Sequence, residues 1–110
     1  MKIYCRVKIR NIEVTATNLD YEGSLEIDSE ILEKAGIMPG ELVQVINLNN
    51  GARFFTYIIA GERGKRECKL QGGAARLGEV GDKLLVMAFE IGERPRPPTV
   101  ISLVAGNQFA

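Results

Sequence analysis

Polar and apolar residues alternate strictly from Lys2 to Arg10. Ile3, Cys5, Val7 and Ile9 fall on one face; Lys2, Tyr4, Arg6, Lys8 and Arg10 fall on the other. A period of two is that of a β-strand with one buried side. Residues 12–17, IEVTAT, are rich in β-branched types and predict a second strand. NLDYEG (18–23) reads as a turn, and SLEID (24–28) as a short alternating strand. Asp28 then caps a short helix with Glu30 in its first turn and an apolar face of Ile31, Leu32 and Ala35; Gly36 ends it.

Strands are predicted over 41–48 and 52–60, joined by a turn with Asn50-Gly51 at its tip. Further strands are expected over 66–70, 83–91 and 99–105. The small-residue stretch 72–82 predicts one helical turn, 92–98 (GERPRPP) a stiff connector, and the residues after 105 a fraying tail. Six to eight short strands with one short helix predict a small β-barrel, because closure removes exposed strand edges.

Composition narrows the function. The 110 residues suggest one domain, 1–110, and 45% hydrophobic content is enough for a packed core. Fourteen basic residues balance fourteen acidic ones, which disfavours a nucleic-acid partner. No apolar run approaches the roughly 20 residues of a membrane span, and the N-terminus lacks the apolar core of a signal peptide. A cytoplasmic location is expected. Cys5 and Cys68 are too few for a disulfide framework and are read as free thiols in or near the core. There is no histidine, so a Ser-His-Asp or Cys-His arrangement is excluded and the commonest zinc ligand is missing. Proton transfer must fall to Tyr, Lys, a carboxylate or water.

The sharpest candidate is Gly23-Ser24. Such pairs are common in turns. A serine hydroxyl can also attack the carbonyl before it, shifting the acyl group from N to O, and glycine leaves that carbonyl uncrowded. β-Elimination and hydrolysis then leave a ketone at a new N-terminus, able to capture an amine. On 52–60, alternation puts Arg53, Phe55 and Tyr57 on one face and Phe54, Thr56 and Ile58 on the other; a bulge is needed to unite Thr56 with Tyr57. QGGAAR (71–76) can let a ligand approach the backbone, but it lacks the Gly-Lys-Ser/Thr of a phosphate loop. Lys8 and Arg10 are cations on a strand face that is ordinarily solvated.

Together these pieces resemble the aspartate 1-decarboxylase family, pyruvoyl enzymes that make β-alanine for pantothenate synthesis. The resemblance rests on Lys8, TATNLDYEGSLEID (15–28), AGI (35–37), NNGARFFTYIIAGERG (49–64), GGAA (72–75) and GD (81–82), in order along nearly the whole chain. It implies a closed six-stranded double-psi β-barrel with short helices, assembled as a homotetramer with active sites between subunits. It implies self-cleavage between Gly23 and Ser24 into chains 1–23 and 24–110, either spontaneous or helped by a maturation factor. Ser24 would become the pyruvoyl group, with no metal and no pyridoxal phosphate.

By matched position, Tyr57 returns a proton to the carbanion, and Lys8 and Arg53 hold the carboxylates of L-aspartate. Thr56 matches a group tied to substrate contact and to the oxyanion of self-cleavage. Gly72, Gly73 and Ala74 match a backbone segment lining the substrate, and Tyr21 and Glu22 flank the scissile bond. Four positions depart from the common pattern: Arg10 replaces histidine, Ile46 tryptophan, Gln71 asparagine and Gly73 alanine. Gln71 keeps the amide but moves it by one methylene, which bears on a contact near Tyr57 and on processing. Arg10 adds a cation near Lys8, which bears on the choice of dicarboxylate. Two alternatives stay open: an uncleaved, non-catalytic barrel scaffold, and a sister decarboxylase acting on glutamate.

Overall fold

A computed structural model describes residues 1–110. The alternating N-terminal stretch is longer than its pattern predicts: β1 runs Lys2–Glu13, and only Ala16–Asn18 remains as a separate β2. The reason is a bulge. Asn11 takes a positive φ of 64°, and the register of β1 slips between Arg10 and Ile12. The slip rephases the alternation, so Ile12 and Val14 are buried like Val7 and Ile9. Ile3, expected inside, is 73% exposed.

The remaining elements are β3 (Ser24–Asp28), α1 (Ser29–Ala35), β4 (Leu42–Asn47), β5 (Arg53–Gly61), β6 (Cys68–Gln71), a 3-10 helix (Gly72–Leu77), β7 (Lys83–Gly92), β8 (Thr99–Val104), a second 3-10 turn (Ala105–Asn107) and β9 (Gln108–Phe109). Hydrogen bonds order them β2-β6-β3-β5-β4-β7-β1-β8-β9.

That order demands closure. β2 stands at one edge and β1 beyond β7, yet only Val14 and Thr15 separate them in the chain. The three steps from Glu13 to Ala16 span at most about 11 Å, so the sheet must curl until β6 meets the end of β1. Thr15 marks the seam. Its N–H donates to the Cys68 carbonyl at 2.8 Å, and its hydroxyl accepts from the Cys68 N–H at 2.9 Å. Counting β1 with its continuation β2 as one strand, the ring is β1/β2, β6, β3, β5, β4 and β7: a closed barrel of six strands, in agreement with the double-psi expectation. β8 adds outside, parallel to β1.

The inward faces of the barrel strands join Ile31, Leu32 and Ala35 of α1, together with Ile37, Ala74 and Leu103, in one cluster of 20 buried residues. Burial pushes the Cys68 thiol up to about 12, as expected for a core filler rather than a nucleophile. The tail does not fray. Asn107 accepts from the Glu13 N–H at 2.7 Å and donates to the carbonyls of Glu13 and Arg66, both at 3.0 Å. The Arg66 guanidinium lies 4.7 Å from the Phe109 ring centre.

Asp28 joins β3 to α1 and to the loop before β6. Its carboxylate is buried and accepts from the N–H groups of Glu30 (2.8 Å), Gly64 (3.1 Å) and Arg66 (2.6 Å). Burial alone raises its pKa, but the three N–H donors and the Arg66 charge outweigh it, leaving the carboxyl below its ordinary 3.8. A depressed folded pKa means stability that is complete above the unfolded value and lost as pH falls through the folded one. Asp28→Ala is expected to cost about 3 kcal/mol near neutral pH, from a lost cap and orphaned N–H groups. Urea midpoints measured from pH 7 down to pH 2 check this: the native chain should lose stability below about pH 4 more steeply than the variant.

Candidate active site

The site is built on the register of β3. It pairs antiparallel with β6 as Ser24–Gln71, Leu25–Leu70, Glu26–Lys69 and Ile27–Cys68. Leu25, Ile27, Cys68 and Leu70 are fully buried in the barrel. Opposed residues share a face, so Ser24, Glu26, Lys69 and Gln71 lie together on the outer one. On its other flank β3 runs parallel to β5, with Leu25 beside Ile58. Continuing that register by one residue brings Tyr57 level with Ser24.

The predicted faces of β5 hold. Thr56 lies opposite the buried Val43 and Phe54 opposite the buried Val45, with no register slip against β4. Arg53, Phe55 and Tyr57 therefore lie outside, and no bulge brings Thr56 to the Tyr57 face.

Although on the outer face, Ser24 is wholly buried. The Tyr21–Gly23 turn and the start of the 3-10 helix come together beside it. Gly72 makes that possible. It has a φ of 63°, and a Cβ there would stand 2.4 Å from the Tyr21 carbonyl oxygen and 2.7 Å from the Gly23 nitrogen. By contrast, a Cβ on Gly23 or Gly73 would meet nothing within 4 Å. The glycine that this close packing requires is Gly72 rather than Gly23. Ala74 is buried behind it and Gly73 is exposed.

Two buried polar atoms here have no hydrogen-bond partner: the Ser24 hydroxyl oxygen and the Gln71 side-chain oxygen. An orphaned buried group costs about 1–3 kcal/mol, so such atoms in a native fold call for a functional reason. The other end of the Gln71 amide donates to Glu26 at 3.2 Å, and Lys69 lies 3.6 Å from the second Glu26 oxygen. Glu26 and Lys69 were not singled out by the sequence. The alternation of SLEID and CKLQ places them on this face once β3 is known to pair with β6.

The other candidates stand apart. Arg53 lies four residues up β5 from Tyr57, about 13 Å away. Lys8 is on β1, which in the closed ring is separated from β3 by β6 on one side and by β7, β4 and β5 on the other. Neither cation forms a salt bridge. Tyr21 and Glu22 are exposed beside the Gly23–Ser24 bond, Arg10 is exposed, and Ile46 pairs with Arg53 on the outer face. No group of three or more His, Cys, Asp or Glu gathers where it could hold a metal ion. The largest cleft, about 510 Å³, is an apolar groove lined by Ile3, Leu42, Phe55, Phe89 and Ile91, and it does not include Ser24.

The sequence matches the family model described as aspartate decarboxylase over residues 1–109. A Thermotoga petrophila protein named aspartate 1-decarboxylase is 48% identical over 109 residues, covering 99% of this chain and 96% of its own. Proteins of the same name from Desulfitobacterium hafniense and Leptospira biflexa are 49% and 47% identical. Their alignments cover 91% and 94% of this chain, and 82% and 92% of those proteins. With the match running almost from end to end, through Gly23-Ser24 and the β6 segment packed on it, this chain belongs to the aspartate decarboxylase family.

Proposed function

We propose that this chain cleaves itself between Gly23 and Ser24, and that the matured protein converts L-aspartate to β-alanine and carbon dioxide for pantothenate synthesis. The observation that carries this reading is the Ser24 hydroxyl, buried without a partner beside a turn that only a glycine at position 72 can approach so closely. Family membership supplies the reaction class.

Cleavage uses the chain's own atoms. The Ser24 oxygen bonds to the Gly23 carbonyl carbon, the peptide C–N bond breaks, and the hydroxyl proton ends on the freed amine. Loss of the Ser24 α-proton then expels the Gly23 carboxylate and leaves dehydroalanine. Water adds, ammonia departs, and a pyruvoyl group remains at residue 24. That ketone supplies an electron sink for decarboxylation without pyridoxal phosphate.

Tyr57 and the Gly72 segment fit such a group from within the chain, and Arg53 and Lys8 would reach it from further off. Tyr57, level with Ser24 and 38% exposed, can return a proton where no histidine exists to do so. Arg53 and Lys8 are unpaired cations suited to the two carboxylates of aspartate. Gly72, Gly73 and Ala74 offer backbone close to residue 24. Lys8 lies on a strand that does not pair with β3, and the groove around Phe55 and Ile91 leaves an apolar face uncovered. Both support a homotetramer whose sites are completed between subunits. No helix is long and apolar enough to cross a membrane; a cytoplasmic location is part of this proposal.

The test is product analysis on matured protein given aspartate or glutamate. β-Alanine from aspartate is expected. γ-Aminobutyrate alone would reassign the substrate, and no amine product would favour the scaffold. Tyr57→Phe should still yield both fragments yet turn over aspartate about 100-fold more slowly, the usual scale of a lost general acid.

Gly72→Ala should push the Tyr21–Gly23 segment away and slow self-cleavage about 100-fold, the cost of roughly 1 Å of misplacement. A gel time course of fragment release reads this directly, with the melting temperature as the check on folding.

A further inference from the structure

We propose that Glu26 is a positioning residue for self-cleavage, acting by fixing which end of the Gln71 amide faces Ser24. The inference rests on the self-cleavage reading above and deepens it.

Four side chains share the outer face of the β3–β6 pair, and their registers fix who meets whom: Ser24 opposite Gln71, Glu26 opposite Lys69. Gln71 is 5% exposed, so its amide cannot turn to water for partners. A carboxylate only accepts hydrogen bonds, so the amide end at Glu26 must be the NH2 end. The contact is 3.2 Å to one carboxylate oxygen, while Lys69 holds the other at 3.6 Å. Lys69 is itself held by Glu67 at 3.0 Å, which anchors the far side of the arrangement. What remains for the Ser24 side is the amide oxygen, buried and unpartnered, across from a hydroxyl that is also buried and unpartnered.

The orientation matters for chemistry. A hydroxyl that donates its hydrogen to an amide oxygen keeps its lone pairs free and gains electron density for attack on the Gly23 carbonyl. A hydroxyl that accepts from an amide N–H has a lone pair occupied and attacks less well. Glu26 removes the second arrangement, because turning the amide over would set its oxygen against a carboxylate. Gly72, the next residue along, packs on Tyr21 and Gly23. The Gln71-Gly72 dipeptide thus stands beside both partners of the reaction: Gln71 opposite the serine in register, with no hydrogen bond between the two side chains in this structure, and Gly72 packed against the turn before it.

The experiment follows conversion of freshly purified full chain to fragments by intact mass, for native protein, Glu26→Leu, Glu26→Gln, Gln71→Leu and the double variant Glu26→Leu/Gln71→Leu. Glu26→Leu should cleave about tenfold more slowly, the scale of one well-placed hydrogen bond, at an unchanged melting temperature. Glu26→Gln, which keeps an acceptor oxygen, should recover most of the rate. The double variant should be no slower than Gln71→Leu alone, because Glu26 acts only through that amide. Glu26→Ala gives the same comparison if leucine disturbs folding. Native-like cleavage by both the Leu and Ala variants, or additive losses in the double variant, would overturn the proposal while leaving self-cleavage intact. A native chain that never cleaves would overturn both.

Discussion

Everything at the candidate site depends on how β3 lies against β6. A single antiparallel register sets Ser24 opposite Gln71 and sends the chain directly from Gln71 into Gly72. Shifted by one residue, it would turn Ser24 inward and Leu25 out. The burial of Leu25, Ile27, Cys68 and Leu70 in the barrel forbids that slip. The hydrophobic core thus fixes the orientation of a serine on the opposite face of its strand. The Asp28 carboxylate at the far end of β3 secures the same strand by binding the backbone of α1 and of the loop before β6.

Barrel closure serves the same end. Val14 and Thr15 carry the chain from β1 to β2 and pin it to Cys68, so β6 is held from both sides. The Asn107 side chain ties β1 to the loop before β6 a second time. A strand so constrained can tolerate two orphaned polar atoms beside it, because the rest of the fold supplies the stability they withhold.

Much of this was legible in the sequence. The N-terminal strand, the Asp28 cap, the Gly36 stop and the hairpin between β4 and β5 all follow from local chemistry, and each is found, although the alternation of the first strand holds only from Arg6 to Arg10 because the register slips between Cys5 and Val7. The bulge at Asn11 was not legible, because a positive φ at a non-glycine residue leaves no periodic trace and two short strands mimic one bulged strand. The ordered tail was missed for a similar reason. Asn107 and Phe109 gain their contacts from Glu13 and Arg66, far away in the chain. At the site, Gly23-Ser24, Tyr57 and the Gly72 segment stood out locally. The Glu26–Lys69–Gln71 cluster did not, since only strand pairing brings its members together. The distance between Lys8 and Ser24 is likewise a property of strand order, invisible to any window along the chain.

The central claim is that a buried hydroxyl opens its own backbone. Intact-mass spectrometry of the purified native protein, followed over prolonged incubation, addresses it most directly. The account predicts that the 12.1 kDa chain gives way to two species, residues 1–23 with a free carboxylate and residues 24–110 with a keto group in place of the serine amine. Persistence of one unbroken chain, with β-alanine nonetheless formed from aspartate, would contradict it.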